Sequence, residues 1–258
     1  MKIKFEEVKL TVILPIYNEN IIFLKESIES IINQSMTNWN CIIILEGNSE
    51  ANKKFLENIV KEDKRFTLIK PKNKLGLAES INLGLKKAKT EYIARFDSDD
   101  IMDKERLLTQ FIFLEKNECF SVVGSNIFLI NKDGLKTKVR KYPRSGSNLL
   151  LYFLFRCGLA HPSTMYRLKD VVASGMYKKD LSGAEDLDLW LRMIKKGYKF
   201  YNLQKPLLFY REKKFRDSNH WENVFRVRKD NLGIFNFLIE IVILFCIKIL
   251  SFITKKIK

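Results

Sequence analysis

The sequence predicts an α/β fold built on a doubly wound, mostly parallel sheet. Apolar strand-like runs alternate with amphipathic helix-like segments between residues 10 and 130, which is typical of a parallel sheet with helices on its faces. The chain has 258 residues, of which 46% are hydrophobic, so it is long enough for one large domain or two small ones. Aromatic residues make up 12% of the chain, which is too many for a disordered protein.

The predicted elements alternate because the hydrophobic period changes from one segment to the next. The strands are short apolar runs, whereas the helices carry Glu and Lys between apolar residues at three- and four-residue spacing. We predict strands at 10–17, 39–46, 66–70, 91–97 and 121–130, and helices at 21–35, 53–63, 76–89 and 104–117.

The alternation stops after residue 130. A polar, basic loop or hairpin surrounds Asp133 and Gly134, and an apolar helix is predicted at 149–158. Another helix is expected to begin after Glu185 and Asp186 and to end at Gly197, which suits the position just past a helix end.

Polar and acidic residues follow the carboxyl ends of three predicted strands, where ligands bind in sheets of this kind. They are Pro15, Tyr17, Asn18 and Glu19; Glu46, Gly47 and Asn48; and Asp97, Ser98 and Asp99. The Asp-x-Asp carboxylates of residues 97–99 are hard ligands, so they indicate Mg²⁺ or Mn²⁺ rather than zinc, with a diphosphate completing the shell. We expect Asp100 to begin the following turn and Arg95 to balance the local charge.

The chain is strongly basic, with 46 Lys plus Arg, 30 Asp plus Glu and a net charge of +16. This excess indicates a phosphorylated substrate or an anionic membrane surface as partner, unless it reflects a general lysine bias. Zinc-finger spacing and the aromatic signature of RNA-binding domains are lacking, so no nucleic-acid partner is expected.

The four cysteines do not have the spacing of a zinc site and suit a reducing cytosol. The first residues lack the features of a signal peptide.

The tail, residues 233–258, is mostly apolar. Its polar residues form one helical stripe of Asn236, Glu240, Lys248, Ser251 and Lys255. We expect an amphipathic helix that lies in the membrane interface; a spanning helix or a helix packed on a partner subunit are the alternatives.

A group of basic residues before the tail forms either a membrane-facing surface or a solvated face: Lys213, Lys214, Arg216, Arg226, Arg228 and Lys229. The expected location is peripheral, on the cytoplasmic face of the inner (plasma) membrane.

Four segments, taken in order, resemble family 2 glycosyltransferases of the GT-A fold, a Rossmann-like doubly wound sheet. They are "VILPIYNE" (12–19), residues 73–100 ending in "ARFDSDD", "AHPSTMYR" (160–167) and "EDLDLWLRM" (185–193). The resemblance covers most of residues 10–211 and is strongest to bacterial enzymes that build capsule, O-antigen or lipooligosaccharide chains. It implies a nucleotide-sugar-binding half at 1–130 and an acceptor-binding, catalytic-base half at 131–232 of the same domain, followed by the membrane-associating helix at 233–258.

The resemblance also implies roles for individual residues. Pro15, Tyr17 and Glu19 would border the nucleotide pocket, and Glu46 would face the uracil, although "EGNS" has Gly47 where the family has a second carboxylate. Donor-side roles are also implied for residues that cover the nucleotide or follow the fourth strand: Lys72, Asn73, Gly76, Arg95 and Asp97, the last at the ribose or a metal-bound water. Asp99 would ligate the metal and Asp186 would be the catalytic base; for Glu185 and Asp186 the alternative is a structural role, in which they cap the helix start and offset its dipole. The proline that usually follows the acidic motif is replaced by Asp103, which we interpret as a change at a helix start.

The implied function is inverting, metal-dependent transfer of a hexose or N-acetylhexosamine, with galactose as the first candidate. The donor would be a UDP-sugar, and the acceptor a hydroxyl of a growing cell-surface glycan that is lipid-linked or lipid-anchored. Glu185 is expected to raise the pKa of Asp186, while His161 and Arg211 are expected on the acceptor or diphosphate side; a hydrogen-bonded loop histidine is the alternative for His161. Two other functions stay open: a metal-dependent nucleotidyltransferase and a non-catalytic membrane-bound scaffold.

Overall fold

The computed structural model describes residues 8–212 and 220–232. Within these residues, one sheet of nine strands is flanked by eight helices. The strands are β1 (Leu10–Tyr17), β2 (Asn40–Glu46), β3 (Phe66–Ile69), β4 (Tyr92–Arg95), β5 (Ile101–Met102), β6 (Phe120–Ile130), β7 (Lys136–Arg140), β8 (Met165–Arg167) and β9 (Lys199–Arg211). The helices are α1 (Ile21–Ile32), α2 (Glu50–Glu62), α3 (Leu77–Lys87), α4 (Arg106–Lys116), α5 (Gly146–Phe155), α6 (Leu168–Ala173), α7 (Glu185–Lys195) and α8 (His220–Leu232).

The sheet is mostly parallel, as predicted. Its strand order is β3-β2-β1-β4-β8-β6-β9-β5, with β7 paired to β6. The first four strands pair in parallel, and so do β6 and β9. Strand β8 is antiparallel to both β4 and β6, so β4 and β6 point in the same direction. The carboxyl ends of β1, β2, β4, β6 and β9 therefore lie at one edge of the sheet.

Two hydrophobic cores lie on the two faces of the sheet. Strand β1 shows the division, because its side chains alternate between the faces with the two-residue period of a strand. Leu10, Val12, Leu14 and Ile16 pack with α1, α2 and α4 on one face, whereas Ile13 packs with α3 and α7 on the other. Each face thus has its own layer of helices, as a doubly wound fold requires.

Side-chain caps position two helices at the edge that holds the strand ends. The Asn20 side chain accepts a hydrogen bond from the Ile22 amide at 2.9 Å, and α1 begins one residue after this cap. Ser49 caps α2 in the same way through the Asn52 amide. The cap explains why α2 begins at Glu50, three residues earlier than the apolar pattern predicts.

The sequence pattern did not predict β5, β8, α6, β9 or α8. Strand β9 was missed because "NLQKP" (202–206) is polar and contains a proline. It is a strand because it pairs along almost the whole of β6, with register shifts around Asn126 where Pro206 is accommodated. Tertiary pairing therefore determines this strand rather than its own hydrophobic pattern.

Two membrane-related predictions fall partly or wholly outside the described residues: the tail helix at 233–258, and Lys213, Lys214 and Arg216 of the basic group. Arg226 and Lys229 are exposed on α8, but Arg228 is only 6% exposed. The interpretation of Arg228 as a surface cation was wrong, because it shares the inner face of α8 with Val224 and Val227. No helix within residues 8–212 and 220–232 combines the length and apolar character needed to span a membrane.

Candidate functional site

The polar strand ends meet at one edge of the sheet. Tyr17 and Glu46 are register partners at the ends of β1 and β2. The Ser98 hydroxyl, just after β4, donates a hydrogen bond to Glu19 Oε2 at 3.0 Å. Three segments that are distant in the sequence are therefore joined at this edge, as the parallel arrangement of the strands predicts.

An acidic cluster follows β4. Ligand oxygens of Asp97, Asp99 and Asp100 all lie within 4.8 Å of one another. Asp99 and Asp100 are buried, whereas Asp97 is partly exposed and forms an ion pair with the buried Arg95. Burial, and then the charges of Asp97 and Asp99, raise the pKa of Asp100 well above its usual value.

The residues of this cluster fit a hard divalent cation. Oxygen Oδ2 of Asp100 is buried and has no hydrogen-bond partner among the described residues, which is costly unless a ligand meets it. Three carboxylates in one place match the ligand chemistry of Mg²⁺ and Mn²⁺. The structure adds Asp100 to the pair named from the sequence, where it was expected only to begin a turn. The adjacent aspartates Asp99 and Asp100 were the feature of the sequence from which a third carboxylate at this site could have been predicted.

A cleft of about 530 Å³ lies at the ends of β1 and β2, on the sheet edge at which β4 also ends. Tyr17, Glu46 and Gly47 line one side, and the segment from Lys70 to Lys74 lines the other. Lys74 stacks over the Tyr17 ring, with Nζ 4.4 Å from the ring centroid. Of the residues assigned to the nucleotide, Tyr17, Glu46, Lys72 and Asn73 line this cleft.

The other predicted donor-side residues do not line the cleft. Pro15 is within β1, where it pairs with Ile44. Glu19 reaches the acidic segment through Ser98, and Gly76 is the N-cap of α3. Arg95 and Asp97 are in the neighbouring acidic group.

Glu46 organises the segment that covers the cleft. Its Oε2 accepts hydrogen bonds from the backbone amides of Leu75 (2.6 Å) and Gly76 (3.1 Å), and its Oε1 accepts from the Ser80 hydroxyl. These three donors, and 7% exposure, commit the carboxylate to the start of α3. The sequence analysis predicted that Glu46 faces the uracil. The structure gives Glu46 a further, structural role at the start of α3, which the sequence did not indicate.

Gly47 has a steric reason to be glycine. Its φ is +89°, and a Cβ atom built on it would lie 2.2 Å from Asn18 Oδ1. That oxygen accepts a hydrogen bond from the Asn48 amide at 2.9 Å. A carboxylate side chain at position 47 is therefore incompatible with Asn18 as it is placed here.

Glu185 and Asp186 begin α7. Asp186 accepts hydrogen bonds from the Leu187 amide at 2.7 Å and from the Cys157 thiol at 3.4 Å. Burial raises the pKa of Asp186, and both hydrogen bonds counteract the rise. Burial, and then the charge of Asp186, raise the pKa of Glu185 to about 7. The pair has the raised pKa values that a general base near neutral pH needs.

Arg95 connects the acidic cluster with this pair electrostatically. Its positive charge lowers the pKa of both Glu185 and Asp186 as a minor contribution, although its own partner is Asp97. The charge of Arg95 therefore acts on both acidic motifs, which the sequence separates by about ninety residues.

His161 lies in a buried 3₁₀ turn between these groups. Its Nε2 is 2.9 Å from the Tyr177 hydroxyl, and its ring meets Trp190 edge-on at 6.1 Å between centroids. Burial, followed by the charge of Arg95, holds the pKa of His161 well below its usual value. The imidazole is therefore neutral and fixed by Tyr177, a partner that the sequence did not indicate. Trp190 and Met193 are fully buried, as expected for core residues.

Arg211 is placed behind the acidic cluster rather than in the open cleft. It is 4% exposed, and Arg211 Nε donates to the backbone oxygen of Asp99 at 2.9 Å. Its further partners are Asp100 Oδ1, which accepts from the Arg211 amide, and Glu26, Asn131 O and Lys132 O, which accept from the guanidinium. The geometry thus gives Arg211 a supporting contact with the acidic segment, whereas the sequence suggested contact with a phosphate.

Comparisons with known proteins agree with this geometry. The model of the family "Glycosyl transferase family 2" matches residues 11–173. An uncharacterized glycosyltransferase of Methanocaldococcus jannaschii is 33% identical over 228 residues, which cover 86% of this chain and 76% of the relative. The O-antigen biosynthesis glycosyltransferase WbnJ of Escherichia coli is 34% identical over 194 residues, or 72% of each chain.

Solved structures support the fold independently. Residues 1–349 of S. aureus TarS, in complex with UDP-GlcNAc, superimpose with a TM-score of 0.71 at 17% identity, covering 87% of this chain and 67% of that one. This chain spans 38% of a longer TarS structure. The matched family model and relatives, with the doubly wound sheet, show that the chain belongs to the family 2 glycosyltransferases and has the GT-A fold.

Proposed function

We propose that this glycosyltransferase transfers a hexose or N-acetylhexosamine from a UDP-sugar to a hydroxyl of a growing cell-surface glycan, with inversion at the anomeric carbon. Galactose is the first sugar to test. The acceptor in this proposal is lipid-linked or lipid-anchored, and the enzyme works at the cytoplasmic face of the membrane. The complex of TarS with UDP-GlcNAc supports a UDP-sugar donor, and the O-antigen enzyme supports a surface glycan.

One observation carries the proposal. The acidic cluster, in which Oδ2 of Asp100 has no hydrogen-bond partner among the described residues, shares a sheet edge with a lysine-lined cleft, and the hydrogen bond from Ser98 to Glu19 ties the acidic segment to the residues that follow β1. A nucleoside diphosphate has the matching chemistry, because its base and ribose suit the cleft while its phosphates carry the negative charge that lysines and a bound cation offset.

Asp97, Asp99 and Asp100 would hold Mn²⁺ or Mg²⁺. The bound ion supplies Lewis-acid stabilisation of the charge that develops on the departing diphosphate. Arg95 neutralises part of the charge of these carboxylates through its ion pair with Asp97.

Asp186 serves as the base in this mechanism. The acceptor oxygen forms a bond to the anomeric carbon, the bond from that carbon to the diphosphate oxygen breaks, and the hydroxyl proton moves to Asp186. Burial raises the pKa of Asp186, so the carboxylate is a stronger base than one in water, while the Leu187 amide and Cys157 thiol keep it oriented. A single displacement of this kind inverts the anomeric configuration.

Release of UDP from a panel of UDP-sugars, with a solubilised glycan acceptor and with either Mn²⁺ or EDTA, tests the donor and the metal requirement together. We expect UDP release that EDTA abolishes and Mn²⁺ restores. Release of pyrophosphate in place of UDP would identify a nucleotidyltransferase, and the anomeric configuration of the product tests inversion directly.

The role of the base is tested by Asp186→Asn. We expect transfer to fall by about 10²- to 10⁴-fold, while binding of the UDP-sugar, measured by calorimetry, is retained. Asp180→Asn is the control, because Asp180 is an exposed aspartate a few residues upstream. Near wild-type turnover by Asp186→Asn would mean that Asp186 is not the base. Full biological function of both Asp186→Asn and Asp99→Ala would favour the scaffold alternative.

A further inference from the structure

The β6–β7 hairpin concentrates positive charge. Residues 131–144 contain six basic residues against the single acid Asp133, whereas the whole chain has 46 basic and 30 acidic residues. The basic residues are Lys132, Lys136, Lys138, Arg140, Lys141 and Arg144, and all of them are exposed. The enrichment therefore exceeds the background of a lysine-rich chain.

Apolar groups stand among these charges. Leu135 is 65% exposed at the hairpin tip, and Val139 is 38% exposed in β7. Lys136 covers the stacked rings of Phe128 and Phe209, with Nζ 4.3 and 4.9 Å from their centroids. Exposed cations mixed with exposed aliphatic side chains are the composition of a surface that contacts lipid headgroups.

The shape of the hairpin favours a surface over a small ligand. All five residues of β7 are exposed, and among the described residues β7 pairs only with β6. An extended strand of this length spans about 16 Å at roughly 3.3 Å per residue. A row of cations that long meets several headgroups at once, whereas one diphosphate would engage only one or two of them.

The hairpin tip is attached to the catalytic edge. Arg211 donates to the backbone oxygens of Asn131 (3.0 Å) and Lys132 (2.9 Å) at the tip, and to that of Asp99 (2.9 Å) in the acidic cluster. A surface that contacts the hairpin is therefore held next to the acidic cluster.

We propose that the hairpin of residues 131–144 is a docking surface for anionic lipid headgroups and turns the catalytic edge towards the membrane. The orientation of the site rests on the proposed function, which supplies the lipid-linked acceptor. The lipid contact itself is independent of the donor and of the reaction.

Co-sedimentation of the full chain with vesicles tests this surface. The vesicles contain either 70% phosphatidylcholine and 30% phosphatidylglycerol or phosphatidylcholine alone, in about 0.1 M NaCl. The hairpin variant is Lys138→Glu, Arg140→Glu, Lys141→Glu. The control variant is Lys86→Glu, Lys87→Glu, Lys89→Glu, which changes the net charge equally at exposed positions in the last turn of α3 and just after it, near the opposite edge of the sheet.

We expect the hairpin variant to lose at least tenfold in partitioning onto the anionic vesicles, since each cation near such a surface contributes roughly fivefold. The control should lose less than about threefold, and neutral vesicles should bind neither protein appreciably. Wild-type binding by the hairpin variant, or an equal loss in the control, would overturn the proposal. The assay contains no donor sugar, so its result does not depend on the proposed function, and a thermal unfolding transition like that of the wild type verifies that the hairpin variant is folded.

A second readout reports on the hairpin directly. Leu135→Trp in a Trp221→Phe background places one exposed tryptophan at the tip, because Trp39 and Trp190 are fully buried. We expect its emission to shift to shorter wavelength with the anionic vesicles and not with neutral ones. Co-sedimentation without this shift would show that another surface makes the contact.

Discussion

Cys157 touches the candidate base, and its effect on that base is testable. Its thiol lies 3.4 Å from Asp186 Oδ2, and burial, followed by the charge of Asp186, raises the thiol pKa well above its usual value. The thiol therefore stays protonated at neutral pH and donates to the carboxylate, which favours the charged form of Asp186. In Cys157→Ala this donor is lost, the pKa of Asp186 rises, and the base is protonated up to a higher pH.

We therefore expect the acidic limb of the pH profile of kcat/KM to move to higher pH in Cys157→Ala. Cys157→Ser keeps a donor and should retain the wild-type limb. If Cys157→Ala instead lowers kcat/KM equally at every pH and leaves the acidic limb of the profile unshifted, Cys157 acts only through packing.

Ionisation of Glu185 is expected to make the folding stability of the protein depend on pH. Its folded pKa is raised to about 7 from an ordinary value of 4.5, so between these values the folded chain holds a proton that the unfolded chain has lost. The stability contributed by this group is complete below about pH 4.5 and is lost as pH rises through 7. Glu185→Gln cannot ionise, so its stability relative to wild type should increase across this window and then level off.

Urea unfolding at several pH values between 4.5 and 8 measures this difference. Glu62→Gln serves as the control, because Glu62 is exposed at the end of α2. A Glu185→Gln difference that does not vary with pH would contradict the raised pKa.

At the scale of elements, Glu46 is the connection between β2 and α3. Its carboxylate meets three donors at the helix start, where the helix dipole also favours negative charge. Glu46→Gln removes the charge and brings an amide against those donors, so we expect a loss of about 2 kcal/mol in stability. The segment over the cleft should loosen, which raises the KM for the donor with a smaller effect on kcat.

Ser80→Ala removes one of the three donors and should produce a smaller change of the same kind. Thermal unfolding and donor titration measure both variants. An unchanged donor KM in Glu46→Gln would show that the segment over the cleft does not depend on this carboxylate.

The first nine predicted elements match the structure to within a few residues at their ends, because each has a hydrophobic period of its own. Strand β9 could not be predicted, since its polar residues are held by pairing with β6. The same holds within the site: Asp97, Asp99 and Asp186 stand in recognisable motifs, whereas Cys157 and Tyr177 reach the site only through tertiary contacts. Local pattern therefore predicts the elements and motifs, and side-chain partners depend on the fold.

For the whole molecule, the sheet runs through residues on both sides of position 130, because β8 lies between β4 and β6. The acidic cluster and the hairpin are thus parts of one scaffold, joined by Arg211. In our proposal, membrane attachment depends on two surfaces, the hairpin and the tail at 233–258, whose amphipathic character is a prediction from its sequence.

Two weak contacts on one chain bind more tightly together than either does alone, because the second contact forms at high effective concentration. We therefore expect deletion of residues 234–258 to move the protein from the membrane to the soluble fraction at physiological salt. Weak binding to anionic vesicles should persist at low salt, where screening of the hairpin cations is reduced. Adding the charge reversals Lys138→Glu, Arg140→Glu and Lys141→Glu to the deletion should abolish the remaining binding to the vesicles. Cell fractionation and vesicle co-sedimentation measure the two steps, and membrane association that survives the deletion unchanged would contradict a role for the tail.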